Sequence, residues 1–352
     1  MFKEVHRMQL PREVIIGRDV LKQVGEVCRR LGYASKALVV TGPKTFKLVG
    51  REIEESIHAS GYITEHQIVE ESRMDYVDQS RRTIRGFSPD IVLGVGGGKV
   101  IDVAKLSSTL EHTPFISIPT TASHDGIASP RASIKDLSSP TSVEAQAPIA
   151  IVADTRVISK APYRLTASGC GDLVAKYTAV RDWMLGYRRT GEYYGDYAAS
   201  LSNMSATLVT RNAGLIRRNT EEGLRVVLEA LLSCGVAMSI AESSRPCSGS
   251  EHAFSHTLDL IAPRQALHGE QCGVGAIMMS YLQGGGWKMV RRTLSMVGAP
   301  TTARELGIEP NYIIEALVRA REINPGRYTI LNEKALDKTS AAELARTTGI
   351  LD

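Results

Sequence analysis

The sequence predicts an α/β Rossmann-like domain over residues 1–160 followed by an all-α helical domain over residues 161–352. Three observations predict it. Strand-like and helix-like segments alternate through the first 155 residues, the pattern of βαβ units around a mostly parallel sheet. After Thr155 the β-branched runs thin out and long segments carry apolar residues at three- and four-residue spacing. At 352 residues the chain also exceeds the size at which one hydrophobic core usually stops growing.

In chain order, strands are predicted at Glu13–Ile16, Ala37–Thr41, Ile63–Val69, Ile91–Val95, Phe115–Ile118 and Ile149–Val152. Helices are predicted between them at Asp19–Leu31, Thr45–Ala59, Val77–Gly86 and Val100–Ser108. The Ser- and Pro-rich stretch Asp125–Ala147 reads as an excursion or hairpin. Helices follow at Asp172–Met184, Asn203–Arg217, Glu221–Ala241 and Tyr312–Arg321, and no internal repeat is visible.

Two loops in the first half have the chemistry to hold a nucleotide. The apolar strand at Ile91 runs into Gly96, Gly97 and Gly98 and then into a helix starting near Lys99. Without Cβ atoms the backbone can approach a pyrophosphate, and the helix start aims N–H groups at the anion. The glycines are consecutive and do not form a GxGxxG fingerprint. The next strand ends in Pro119-Thr-Thr-Ala-Ser-His-Asp-Gly126, where Thr120, Thr121 and Ser123 offer hydroxyls and Asp125 a carboxylate, at the edge where parallel sheets bind ligands. An ordinary Ser/Thr turn is the bland alternative there.

In the second half, His252 and His256 lie four residues apart on one predicted helix, and His268 follows twelve residues later. A carboxylate would complete a metal shell, and Asp172, after Gly169 and Gly171 at an expected helix start, is the best candidate. Nitrogen and oxygen donors suit zinc, although ligand type alone also admits iron or nickel. His6, His58, His66 and His112 have no visible partners and receive no role.

Composition narrows the function classes. Charged residues make up 23% and the net charge is +4 without a run of like charges, which disfavours nucleic-acid and membrane-surface binding. The N-terminal stretch lacks an apolar targeting region and no eighteen-residue uninterrupted apolar run occurs, so a cytoplasmic chain without membrane insertion is expected. Five cysteines without a CxxC pair read as reduced core thiols.

Taken together, these motifs resemble the iron-dependent alcohol dehydrogenase, glycerol dehydrogenase and dehydroquinate synthase superfamily, and within it the archaeal sn-glycerol-1-phosphate dehydrogenase family. The resemblance is carried by Gly96-Gly-Gly-Lys-Val-Ile-Asp102 with Lys105, Ser117 to Pro130 (SIPTTASHDGIASP), Gly169-Cys-Gly-Asp172, Ser250-Glu-His252 with His256, His268-Gly-Glu270 and Arg327-Tyr-Thr-Ile-Leu331. It implies metal ligation by Asp172, His252 and His268. It also implies cofactor contacts at Gly97, Gly98, Lys99, Val100, Ile101 and Asp102, at Thr120, Thr121, Ala122 and Ser123, and at Ser129. Substrate contacts and catalytic roles would fall to Asp125, Asp172 and His256.

The implied reaction is reduction of dihydroxyacetone phosphate by NADH or NADPH to sn-glycerol 1-phosphate, with one Zn2+ as Lewis acid, in a cleft between the domains of a homo-oligomer. His256 would bind substrate or relay a proton. Three rivals remain: a glycerol dehydrogenase using an unphosphorylated polyol, a dehydroquinate synthase-like lyase, whose pattern has a glutamate in place of Asp172, and a non-catalytic nucleotide-binding module. Lys176, Arg131 and Arg264 are the cations near the motifs that could meet a substrate phosphate, and spacing does not choose among them.

Overall fold

The structure, a computed structural model, describes residues 6, 8–33, 35–135 and 142–351. They form two compact units. One comprises Gln9–Ala122 and Gly126–Pro162; the other comprises Ser123–Asp125 and the chain from Tyr163 onward, joined by the described residues before Gln9.

The first unit carries strands β1 (Glu13–Gly17), β2 (Lys36–Thr41), β3 (Ile63–Ile68), β4 (Ile91–Gly96) and β5 (Phe115–Pro119), a small pair β6 (Arg131–Ser133) and β7 (Ser142–Glu144), and β8 (Ala150–Asp154). Six of them make an all-parallel sheet in the order β1-β8-β5-β4-β2-β3, and β6 pairs antiparallel with β7. Every residue of β4, β5 and β8 is buried, which is why these strands read as nearly continuous apolar runs. The edge strand β3 instead alternates, exposing Ile63, Glu65 and Ile68. Part of the predicted 125–147 excursion is the β6–β7 pair, while residues 136–141 lie outside the described residues.

Helices α1 (Val24–Arg30), α2 (Pro43–Thr45), α3 (Arg51–Ala59), α4 (Met74–Phe87), α5 (Gly98–Leu110) and α6 (Thr155–Ile158) connect the strands. Two predicted helices are interrupted. The segment expected at Asp19–Leu31 opens with a 3-10 turn at Val20–Gln23, where Leu21 N–H donates to Asp154. The segment expected at Thr45–Ala59 widens into a π-turn at Phe46–Gly50, where the Phe46 ring lies against Gly50.

Chain direction across the sheet reverses between β2 and β4, since β3 lies outward of β2 and β4 returns on its other side. Ligands of open parallel sheets bind beyond the carboxyl ends of strands at such a reversal. Gly42, after β2, and Gly96–Gly98, at the end of β4, are both there.

The second unit is helical: α7 (Tyr163–Val174), α8 (Lys176–Thr190), α9 (Asp196–Arg217), α10 (Glu221–Ala241), α11 (Ser250–Ile261), α12 (His268–Leu282), α13 (Trp287–Val297), α14 (Ala303–Leu306), α15 (Pro310–Ile323), α16 (Ile330–Glu333) and α17 (Lys338–Thr347). By length and composition α10 could cross a membrane, yet 67% of its apolar window is buried inside the fold, as expected of a core helix. The segment predicted as one helix over Asp172–Met184 is two, α7 and α8, separated at Ala175. Asp172 therefore sits in the last turn of α7, not at a helix start.

Candidate active site and metal centre

The glycine loop is built from backbone. Gly97 caps α5, and the N–H groups of Val100 and Ile101 bond its carbonyl, so the donors left at the helix start are those of Gly98 and Lys99. Val100 and Ile101 put their side chains into the core, and Lys99 is exposed. Asp102 is buried with Lys105, whose Nζ lies 3.4 Å from its Oδ1 and donates to the carbonyls of Gly126 and Arg131 at 2.6 Å. The second loop runs alongside, with Thr120 N–H donating to the Gly96 carbonyl at 2.9 Å. Thr120, Ala122 and Ser129 are buried.

The helical unit assembles Asp172, His252 and His268, joined by Cys272. One donor atom from each lies within 4.8 Å of the others. Two glycines make this possible. A Cβ on Gly171 would stand 2.2 Å from the Gly269 carbonyl oxygen, and one on Gly269 would stand 1.9 Å from the Ser168 carbonyl oxygen. These glycines let α7 and α12 touch backbone to backbone, which brings Asp172, the residue after one glycine, to His268, the residue before the other.

Each ligand candidate is held by neighbours. His252 Nε2 lies 3.5 Å from Asp172 Oδ1, while its Nδ1 bonds Glu251 Oε1 at 2.8 Å. Glu251 is itself fixed by Thr178 Oγ1 and the Gly249 N–H, both at 2.7 Å. That carboxylate orients the ring and raises its basicity, as partners of metal-binding imidazoles do. Asp172 accepts from Lys176 Nζ at 2.6 Å and from the Asp125 N–H at 3.0 Å. Lys176 also donates to Asp125 Oδ2 at 2.8 Å and to the Cys247 carbonyl at 3.2 Å, tying the Asp125 and Asp172 carboxylates together.

The electrostatics follow from burial and these partners. Burial alone would raise the Asp172 carboxyl, but Lys176 and His252 hold it well below the usual carboxylate range. Burial would lower Lys176, but Asp125 and Asp172 keep it well above its ordinary value. Against the burial that would lower it, Cys272, Asp172 and Glu251 raise His252 well above its ordinary value. His256 is pushed down to about 4 by burial and by the nearby charges of His252 and Arg327. Its Nδ1 is buried without a hydrogen-bond partner, so the ring is neutral at physiological pH with a polar atom to spare.

The predicted residues thus fall into two groups. Asp172, His252, His256, His268, Ser123 and Asp125 belong to the helical unit, with ring centroids of 5.0 Å for His252–His268, 5.8 Å for His256–His268 and 6.4 Å for His252–His256. Gly97–Asp102, Thr120–Ala122 and Ser129 belong to the sheet unit. Glu251, Lys176's bridging role and Cys272 were not predicted. Cys272 stands four residues after His268, the same helical spacing that singled out His252 and His256, so its place was detectable. All five cysteines are buried free thiols, and burial pushes Cys272 up. A second group of donors, Asp125, Cys234 and Cys247, already has the Lys176 ammonium as its cation.

A buried carboxylate and two imidazoles are the donor set of a divalent-metal site that keeps positions open for substrate, and the Gly97 cap with its helix start fits a pyrophosphate.

Comparison with known proteins identifies the family. The iron-containing alcohol dehydrogenase family matches residues 15–162. A glycerol-1-phosphate dehydrogenase (NAD(P)+) of Thermococcus kodakarensis is 52% identical over 351 residues, covering 100% of both chains. Its namesake from Methanothermobacter thermautotrophicus is 50% identical over 345 residues, covering 98% of this chain and 99% of the other. Among solved structures, glycerol dehydrogenase from Schizosaccharomyces pombe superposes with a TM-score of 0.81 at 21% identity, covering 99% of this chain and 92% of that one. A probable glycerol dehydrogenase from Sinorhizobium meliloti gives 0.77 at 19% identity, covering 98% of each. These two likenesses show the fold; identity near one half over the full length shows more, and the chain belongs to the glycerol-1-phosphate dehydrogenase family within the iron-containing alcohol dehydrogenases.

Proposed function

We propose that the protein reduces dihydroxyacetone phosphate with NADH or NADPH to sn-glycerol 1-phosphate, the glycerol backbone of membrane phospholipids. The observation that carries this is full-length similarity to glycerol-1-phosphate dehydrogenases, and the buried Asp172–His252–His268 cluster supplies matching chemistry.

In this reading Asp172, His252 and His268 hold one divalent ion, zinc by donor preference, which when bound supplies Lewis acidity toward the substrate carbonyl. The nicotinamide supplies the hydride. Gly97 to Asp102 frame its pyrophosphate, which the backbone N–H groups of Gly98 and Lys99 bond, with Thr120 to Ser123 and Ser129 lining the cofactor. Glu251 keeps the proton on His252 Nδ1, leaving Nε2 to bind metal. Lys176 keeps Asp172 ionised and donates to Asp125, so both carboxylates are held in place to accept hydrogen bonds from substrate hydroxyls. Neutral His256 can donate from one ring nitrogen and accept at the other, which suits delivery of a proton to the product oxygen. The protein is further proposed to act in the cytoplasm as a homo-oligomer, without nucleic-acid partners or membrane insertion.

The test compares turnover of dihydroxyacetone phosphate with that of dihydroxyacetone and determines the product's configuration. Preference for the phosphorylated triose with sn-glycerol 1-phosphate as product is expected. Equal or better use of dihydroxyacetone would favour a polyol dehydrogenase instead.

A further inference from the structure

Helix α11 carries His252 and His256, yet no side chain caps its start, where Gly249 stands. The first amides of a helix have no partner within it, so their acceptors must come from elsewhere. Here two buried carboxylates supply them. Glu251 Oε1 accepts the Gly249 N–H at 2.7 Å. Asp182 Oδ2, reaching across from α8, accepts the Ser250 N–H at 2.7 Å and the Ser250 hydroxyl at 2.5 Å. The two carboxylates leave no space for a side chain between them: a Cβ on Gly249 would stand 2.7 Å from Asp182 Oδ2 and 2.9 Å from Glu251 Oε2.

Asp182 is fully buried, and its other oxygen is engaged as well. Oδ1 accepts the Ile330 N–H at 2.8 Å and Gln283 Nε2 at 3.0 Å, from the start of α16 and the residue after α12. Ile330 belongs to the Arg327-Tyr-Thr-Ile-Leu331 motif, to which the proposed reaction gave no task. Four donors from three segments thus converge on one carboxylate. Burial and the neighbouring Glu251 push that carboxyl up to about 6, against the bonds from Ser250 and Ile330 that lower it. The partial positive charge of two helix starts favours its ionised form.

The glycine contact of α7 and α12 sets Asp172 and His268, whereas His252 arrives on α11. His252 lies two residues after Ser250, so a turn of the helix start would swing its Nε2 away from Asp172 Oδ1, now 3.5 Å distant. We infer that Asp182 is a positioning residue for the metal site: by holding Ser250 on one oxygen and Ile330 on the other, it fixes the first turn of α11 and so aims Glu251 and His252. The inference rests on the reading of Asp172, His252 and His268 as metal ligands.

The experiment compares wild type with Asp182→Asn and Ser250→Ala. It measures zinc affinity by competition with a chromophoric chelator, the visible spectrum of the cobalt-substituted protein, and the dissociation constant of NADH or NADPH. Asparagine keeps the size of the side chain but has a single accepting oxygen, so it cannot hold the Ser250 and Ile330 amides together. Asp182→Asn should weaken zinc binding by roughly ten- to a hundredfold and shift the cobalt bands, while nicotinamide affinity stays within about twofold of wild type. Ser250→Ala, which loses only the hydroxyl bond, should weaken zinc binding by a few-fold. An Asp182→Asn protein with wild-type zinc affinity and cobalt spectrum overturns the inference, even where it melts earlier. Equal losses of zinc and nicotinamide affinity, the mark of general loosening, overturn it too. Should Asp182→Asn fail to fold, Ser250→Ala decides, and unchanged zinc affinity there overturns the inference. A wild type that binds no zinc would overturn the metal reading itself, and the inference with it.

Discussion

The glycine loop at the end of β4 and the charged cluster of the helical unit solve opposite problems. The loop is made of backbone. Gly96 leaves no room for a Cβ, which would stand 2.7 Å from the Val100 Cβ, and the residues Val100 and Ile101 serve the core. The cluster is made of side chains, buried or half-buried and held by one another: Asp172 by Lys176, His252 by Glu251, Asp125 by Lys176. A site made of backbone tolerates change in its surroundings, whereas a buried network of charges fails when one partner leaves, because the remaining charge is stranded.

The difference is sharpest at the glycines. Gly171→Ala would drive a methyl into the Gly269 carbonyl, force α7 and α12 apart and separate Asp172 from His268. A loss of about 2 kcal/mol or more in stability, together with loss of stoichiometric metal, is expected from thermal melting and metal analysis. A variant that melts like wild type with full metal would show that the glycine contact does not position the ligands.

Protons act on the same cluster. Because His252 is held protonated well above 6.5, metal binding must displace its proton, so zinc affinity of chelator-treated protein should climb with pH. A slope approaching about tenfold per pH unit is expected near neutrality, read by competition with a chromophoric chelator. The same raised value stabilises the chelated protein fully below the unfolded value near 6.5, and that contribution is lost as pH rises through the folded value. A zinc affinity flat between about pH 6 and 8 would contradict the proton held on His252.

At the loop, by contrast, Gly97 has ordinary backbone angles, and a Cβ there would find only Thr121 Oγ1 at 3.4 Å as its nearest neighbour. Gly97→Ala should fold and keep its metal while raising KM for the nicotinamide by about tenfold, because the methyl stands where the pyrophosphate must approach. An unchanged KM would move the pyrophosphate elsewhere. The smallest effect belongs to Cys272. Burial raises its thiol, so it packs beside the ligands as a neutral group. Cys272→Ala should retain full metal, and the cobalt-substituted protein should show no thiolate charge-transfer band; metal loss would make the thiol a fourth ligand.

The same contrast explains how much was legible in the sequence. The parallel sheet was visible because β4, β5 and β8 are buried on both faces and so read as apolar runs. The glycine loop was visible because strand, glycines and helix are contiguous. In the helical unit residue types were visible but partners were not. Spacing alone left His252 and His256 equivalent. The family resemblance assigned His252 to the metal and His256 to substrate, and the fold sets His252 Nε2 beside Asp172 while His256 Nδ1 is unpartnered. Gly169 and Gly171 suggested a helix start before Asp172, because a glycine that permits helix contact looks the same in sequence as one that ends a helix. Lys176 was one of three cations near the motifs among which spacing did not choose, and only the fold sets it between two carboxylates.

The central claim, that the cluster binds the ion on which reduction depends, is tested most directly by titration. Protein stripped with chelator is supplied with increasing zinc while NADH or NADPH oxidation by dihydroxyacetone phosphate is followed, with His268→Ala as the control. The account predicts activity lost on stripping by about three orders of magnitude and regained in proportion to zinc, complete at one equivalent per chain, with no recovery in His268→Ala. Full turnover in the stripped enzyme would contradict it.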